Sequence, residues 1–364
     1  MRKLNEVKFG EDTLEDILDS WKWSKRGTKK AELKGADLSN VDLSRTTLCG
    51  ANLEGACLRG ANLTDANLES AVLNKADLEG ACLKNSRLNY ASLKKANMQR
   101  TDCMLASFTN ACLKGANFAH AFLAGANLQN AFCMNADFCY ANLECADLLS
   151  TNMAMCLLRD VVLTGARMEF LIGTSCDLTC ASVKDACLRN ADLTGAELKG
   201  ADFSGSDFNS AKLEQTNLKD IKSMKGAILR GVNCAGVDFS GMTLCGMDFS
   251  GADLAGALLD RADLRNANFS NAFLMDASCE GANMEGAVFK WATLRCANLN
   301  KANLRHADLR MANLLICQMN NVSCDGALFT GAQLLGAHIE GTFTAPVDLC
   351  ESYRASHDKW IKNN

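Results

Sequence analysis

The chain has 364 residues, 48% of them apolar but only 6% aromatic, with one proline, Pro346. Its 38 basic and 42 acidic side chains leave a formal net charge of −4, which excludes a basic nucleic-acid binder and argues against a strongly acidic decoy. The composition is too apolar for a disordered chain, and no apolar run reaches the roughly eighteen residues that a membrane-spanning helix needs.

Residues 1–30 open with an amphipathic stripe, in which Leu14, Ile17, Leu18 and Trp21 fall at helical spacing. Thr13 and Asp16 have the spacing of a capping box, and Gly27 follows a basic last turn of Lys22, Lys25 and Arg26. This pattern predicts a helical cap.

From Leu33 an apolar residue recurs at every fifth position through Leu218, then continues one residue out of phase from Met224 to Ile339. There are about 62 such units, and Gly173 alone breaks the apolar rule. Two residues before the apolar one sits a small residue, mostly alanine. Between them Asp and Asn are favoured. A period of five is neither helical nor a plain strand. It fits three extended residues pointing in, out and in, followed by a two-residue corner. Repeated corners wind the chain into an all-β solenoid. Proline would delete a ladder donor at any rung, so its scarcity is expected. Phe249, Phe269 and Phe289 recur at intervals of twenty, as do Phe118 and Phe138, which suggests four sides per coil.

Between about residues 120 and 175 the outward positions change character. Phe122, Phe132, Val162 and Ile172 occupy outward slots and Phe170 a corner. With a coil of twenty, Phe122 and Val162 share one face and Phe132, Ile172 and Phe170 another edge. These five form the candidate partner-binding patch, since an exposed apolar area on a rod marks an interaction surface. The bland alternative is scattered surface side chains over a coil that bulges at Gly173. Further on, residues 219–226 carry one extra residue. A bulge that turns Lys222 outward would absorb it. Lys219, Lys222, Lys225 and Arg230 would then crowd together. Beyond residue 341, Pro346 can open a helix whose apolar face holds Leu349, Tyr353 and Trp360. That helix either caps the last coil or docks on a second copy.

The stretches ADLSN at 36–40, ANLEG at 51–55, ADLTG at 191–195 and ANLNK at 297–301 resemble the A(D/N)LXX motif of the pentapeptide-repeat family. The resemblance covers about 310 residues. It implies a right-handed quadrilateral β-helix of about fifteen coils with short terminal helices, a rod of some 70–75 Å at about 4.8 Å per coil. The expected domains are a cap at 1–30, the repeat at 31–341 and a terminal helix at 342–364. It also allows homodimerisation through that last helix.

Little in the sequence calls for chemistry. His120, His306, His338 and His357 lie far apart, and no Cys or Ser has a basic partner in sequence. No cofactor, metal or catalytic residue is expected, and the chain reads as a non-enzyme. The nineteen cysteines include no CxxC pair, and the first residues have no signal-like apolar core. They read as reduced thiols of a cytoplasmic protein. The leading function is a scaffold for an unidentified protein partner, compatible with a bacterial effector in the host cytosol. The alternative, implied by the resemblance, is protection of DNA gyrase by mimicry of duplex DNA, without direct nucleic-acid binding. Mimicry needs a dominant negative face. Residues 176–220 are mildly acidic through Asp177, Asp192, Glu197, Asp202 and Asp207, while 75–100 lean basic through Lys75, Lys84, Arg87, Lys94, Lys95 and Arg100.

Overall fold

The computed structural model describes residues 3, 8–9, 12–15, 31–340, 349 and 352. Near the start, β1 (Lys8–Phe9) pairs antiparallel with β2 (Asp12–Thr13), and Leu14 and Glu15 then turn helical. The sequence pattern gave no sign of this hairpin. Leu14 is fully buried. Ile17, Leu18 and Trp21 of the predicted stripe lie outside the described residues. So do Pro346, Tyr353 and Trp360 at the other end.

Over 31–340 the five-residue rule produces one repeated unit. The outward residue of each side makes a parallel bridge to the residue twenty positions on, as in Asp37–Cys57, Asp42–Asn62, Thr47–Asn67 and Asn52–Val72. Four such ladders use up twenty residues, so each coil has four sides. The amide of Leu33 donates to Asn52 O (2.8 Å), and that of Asn52 donates back to Ala31 O (2.9 Å). Each corner closes on itself, as where Ala36 N donates to Leu33 O (3.1 Å). The second corner residue then takes a positive φ, 66° at Gly35 and 55° at Asn40, which explains the glycine and asparagine there.

Two compact units make up the chain, Met1–Asp192 with Ala196–Ser204, and Leu193–Gly195 with Gly205–Asn364. In the first, alanine and leucine columns are buried throughout. Phe118 and Phe138 stack face to face with centroids 4.9 Å apart. Where a hydroxyl replaces the alanine it donates to a carbonyl, Ser86 Oγ to Leu83 O and Thr101 Oγ1 to Met98 O, each at 2.7 Å. A buried polar group is tolerated on those terms. At Gly173 the order of sizes is reversed. Leu171 fills the slot normally held by alanine, 1% exposed, and glycine stands where leucine belongs. No bulge results. Ile172 still bridges Asn152 and Asp192, because the inward volume has moved two residues along the chain without being lost.

The second unit carries the slip. Ile221 takes the inward slot half-buried, Lys222 is exposed and Met224 is buried. Asp207 then bridges Ile228 and Lys212 bridges Asn233, a spacing of 21, before Asn233–Asp253 restores 20. Two of the four cations expected to crowd there are drawn into pairs, Lys219 with Asp238 and Arg230 with Asp248. The phenylalanine series forms one stacked column, with centroids 5.2 Å apart for Phe249–Phe269 and 4.9 Å for Phe269–Phe289. Beyond the repeat, Leu349 is 2% exposed, and Ser352 Oγ donates to Phe329 O at 2.7 Å.

Candidate functional site

The columns fill the inside with their own side chains, so the outward slots and corners carry what the chain offers to others. The five candidate residues stand on two sides of the coil. Phe122 stands on the ladder Asp102–Phe122–Asn142–Val162. Phe132 and Ile172 stand on Cys112–Phe132–Asn152–Ile172, two sides further round the coil and therefore opposite. Phe122 is 52% and Phe132 56% exposed, Phe170 and Ile172 are exposed, and Val162 is half-buried.

On the Phe122 side the neighbouring corners add exposed Leu105 and a face-to-face stack of His120 on Tyr140, 4.9 Å apart and 5° from parallel. On the Phe132 side they add exposed Met155 to Phe170. The interior beneath the Phe132 side is unusual as well. Cys133 and Gly173 replace leucine there, and Thr151 and Leu171 replace alanine. Thr151 Oγ1 donates to Leu128 O at 2.7 Å, so its hydroxyl is satisfied.

A third apolar side escaped the sequence reading. In the second unit Phe273 stands on Asp253–Phe273–Thr293–Asn313, and its bordering corners carry Met275, Trp291, Met311 and Ile316, all exposed. These residues are scattered over forty-odd positions in sequence and gather only when positions are sorted by the coil period of twenty. That sorting, available from the phenylalanine series, was the signal that would have found them.

Several of these corner residues sit in left-handed backbone: φ is 57° at Phe170, 61° at Trp291 and 59° at Ile316. That conformation costs an L-residue about 1–2 kcal/mol, and a β-branched one is rarer still. Ile316 is 56% exposed, so burial does not offset the strain. The fold gains nothing from an isoleucine at this corner.

The charged outward residues are largely paired with each other. Lys84 meets Asp102 (2.9 Å), Arg87 meets Glu69 (3.1 Å) and Arg100 meets Glu79 (3.0 Å). Asp177 pairs with Arg159, and Asp202 with Lys184. No group of His, Cys, Asp or Glu among the described residues is arranged to hold a metal ion. All described cysteines are free thiols. Burial pushes those of Cys103, Cys156, Cys176, Cys279 and Cys317 up to about 12, which suits inert core filler, not nucleophiles. No described helix is long and apolar enough to cross a membrane.

A family profile described as pentapeptide repeats matches eight times, at 29–65, 58–89, 86–123, 116–153, 156–195, 186–221, 246–278 and 274–310, well over half of the chain. The chain belongs to the pentapeptide-repeat family. Proteins of this family fold as right-handed quadrilateral β-helices, and in general they are structural or interaction proteins, not enzymes. Among solved pentapeptide-repeat structures, HetL, involved in heterocyst differentiation regulation in the cyanobacterium Nostoc, is 24% identical over 89% of this chain and 95% of its own, with a TM-score of 0.31. QnrB1, a plasmid-mediated fluoroquinolone resistance protein, is 16% identical over 75% of this chain and 96% of its own, TM-score 0.17. A pentapeptide-repeat protein of the Arabidopsis thaliana thylakoid lumen is 31% identical over 33% of this chain and 73% of its own, TM-score 0.17. No curated protein matches the chain.

Proposed function

We propose that this chain is a non-enzymatic protein-interaction scaffold and that a partner protein docks on the apolar-decorated coils between about residues 120 and 175. The observation that carries the reading is exposure without structural return: Phe122, Phe132, Phe170 and Ile172 stand outside a core that the columns already fill. Burying one such side chain against a partner contributes up to roughly 1.5–3 kcal/mol. In this reading the repeat spans 31–341 in about fifteen coils, with caps at 1–30 and 342–364. The buried Leu14 and Leu349, and the bond from Ser352 to Phe329, support caps over a dimerising C-terminal helix. The free thiols support a reducing compartment, the cytoplasm or, for a translocated effector, the host cytosol.

The runner-up is gyrase protection by mimicry of DNA. The pairing of Asp177 and Asp202 with basic neighbours weighs against it, because mimicry needs uncompensated negative charge. A supercoiling assay with a quinolone separates the two readings, and a scaffold leaves gyrase unprotected. The direct test is affinity capture with the full chain and with a variant carrying Phe122→Ser, Phe132→Ser, Phe170→Ser and Ile172→Ser. The variant should stay folded and bind its partner at least tenfold more weakly, a loss of about 1.4 kcal/mol. Undiminished affinity would refute the reading.

A further inference from the structure

The basic stretch around residues 75–114 holds two kinds of cation. Lys84, Arg87 and Arg100 are paired with carboxylates. Lys75, Lys94, Lys95 and Lys114 are exposed, and no carboxylate among the described residues pairs with any of the four. All four stand on one corner. Lys75 N donates to Lys94 O (2.9 Å) and Lys95 N to Lys114 O (3.0 Å), so three successive coils place them in one column. The same ladder runs on through Gly115 N to Met134 O and Asn135 N to Ala154 O, reaching Met155. The lysine edge therefore continues directly into the edge of the Phe132 side. A Cβ built on Gly115 would lie 3.6 Å from Lys95 Cγ, so Lys95 leans along the corner toward the apolar end.

The ladder of the side bounded by this corner is uncharged. It reads Val72, Ser92, Cys112, Phe132, Asn152, Ile172. The facing corner carries Asn89–Tyr90, Thr109–Asn110 and Gln129–Asn130 over the middle coils, and its two carboxylates, Glu69 at the lysine end and Glu169 at the other, are paired with Arg87 and Arg167. One side thus has unneutralised positive charge at one end and exposed Phe132, Met155 and Ile172 at the other.

We propose that this side binds an extended segment of another protein, acidic over one half and rich in large apolar residues over the other. The inference rests on the scaffold reading and names the chemistry of its partner. Charge complementarity sets the order of the segment, with carboxylates along the lysine column and apolar side chains over Phe132 and Ile172. The site spans about five coil steps of about 4.8 Å, some 24 Å, the reach of about seven extended residues at about 3.3 Å each. An anionic bilayer fits less well. It stacks charge above apolar depth along its normal, whereas here the two are separated sideways within one plane.

The test uses the full chain and fluorescence anisotropy of a labelled synthetic peptide of about ten residues, glutamates first and leucine and phenylalanine last. A peptide of the same composition with the two kinds interspersed is the control. The ordered peptide should bind at least tenfold tighter than the interspersed one, and more weakly as salt rises. Lys75→Glu, Lys94→Glu, Lys95→Glu and Lys114→Glu together should weaken it at least tenfold and flatten the salt dependence. Phe132→Ser with Ile172→Ser should weaken it without flattening that dependence. All four lysines are exposed, so circular dichroism and the melting temperature should hold in their variant. Equal binding of the two peptides, binding of neither, or full affinity in the charge-reversed variant overturns the proposal. So does co-sedimentation with phosphatidylserine vesicles in place of peptide binding. A captured partner that tolerates the lysine changes but not the aromatic ones sinks this proposal and leaves the scaffold reading standing. A partner indifferent to both sets sinks both.

Discussion

The interior around Phe269 and the interior around Gly173 obey the same rule by opposite means. In the first, one slot repeats a large ring, and Phe249, Phe269 and Phe289 stack within 5° of parallel. In the second, every slot but that of Ala131 has lost its usual occupant: Cys133, Met153 and Gly173 stand where leucine belongs, while Thr151 and Leu171 stand where alanine belongs. Both stretches keep their ladders of bridges twenty residues apart. What the fold demands of a coil is a filled volume and closed hydrogen bonds, and the residue in each slot is negotiable against its neighbours.

The largest effect should come from the regular column. Phe269→Ala opens a gap between two stacked rings and should cost about 3–5 kcal/mol by reversible denaturation. The irregular coil offers a sharper test. Leu171→Ala should cost about 2–5 kcal/mol, and Gly173→Leu about 1–3 kcal/mol through overpacking. The double variant restores the usual order and should fall within about 1.5 kcal/mol of the parent, far from the sum of the two. Additive losses would mean the two slots do not exchange volume. Smaller again is Thr151→Val, which removes the donor to Leu128 O and leaves that carbonyl only the corner-closing bond from Ala131 N. A loss of about 0.5–1.5 kcal/mol is expected.

Acid gives a check that leaves the interior alone. The hydrogen bond from Arg310, helped by its backbone amide and by Lys290 against the opposing effect of burial, holds the Asp308 carboxyl at about 2, below its ordinary 3.8. A depressed carboxylate stabilises the fold above its unfolded value and loses that contribution as pH falls toward its folded one. Asp308→Asn should therefore flatten the acid response between about pH 4 and pH 2, followed by circular dichroism. The smallest change is outside: Lys199→Ala should stay within about 0.5 kcal/mol.

The period of five, the inward and outward slots and the twenty-residue columns were legible because each side repeats one small rule many times. The Gly173 coil was visible only as an exception. Its compensation by Leu171 is a statement about summed volume, which a slot-by-slot reading does not make. The coil of twenty already parted Phe122 and Val162 from Phe132, Phe170 and Ile172; what it did not give is that the two groups stand on opposite sides. Trp291, Phe273 and Ile316 were missed for the converse reason, being neighbours across coils and not along the chain. The lysine column shows a third case. Composition flagged the basic stretch, but only the pairing of Lys84, Arg87 and Arg100 reveals which cations are spoken for.

The extra residue at 219–226 has a consequence for how such a chain can change. Lys222 is turned out into solvent, the spacing widens to 21 for one coil, and the next coil resumes at 20 with its phase intact. Each coil is answerable only to its neighbours. Gain or loss of a single codon, ruinous in a fold whose distant segments must meet in register, is here a local edit. The descendants of such a chain can drift in length one residue at a time.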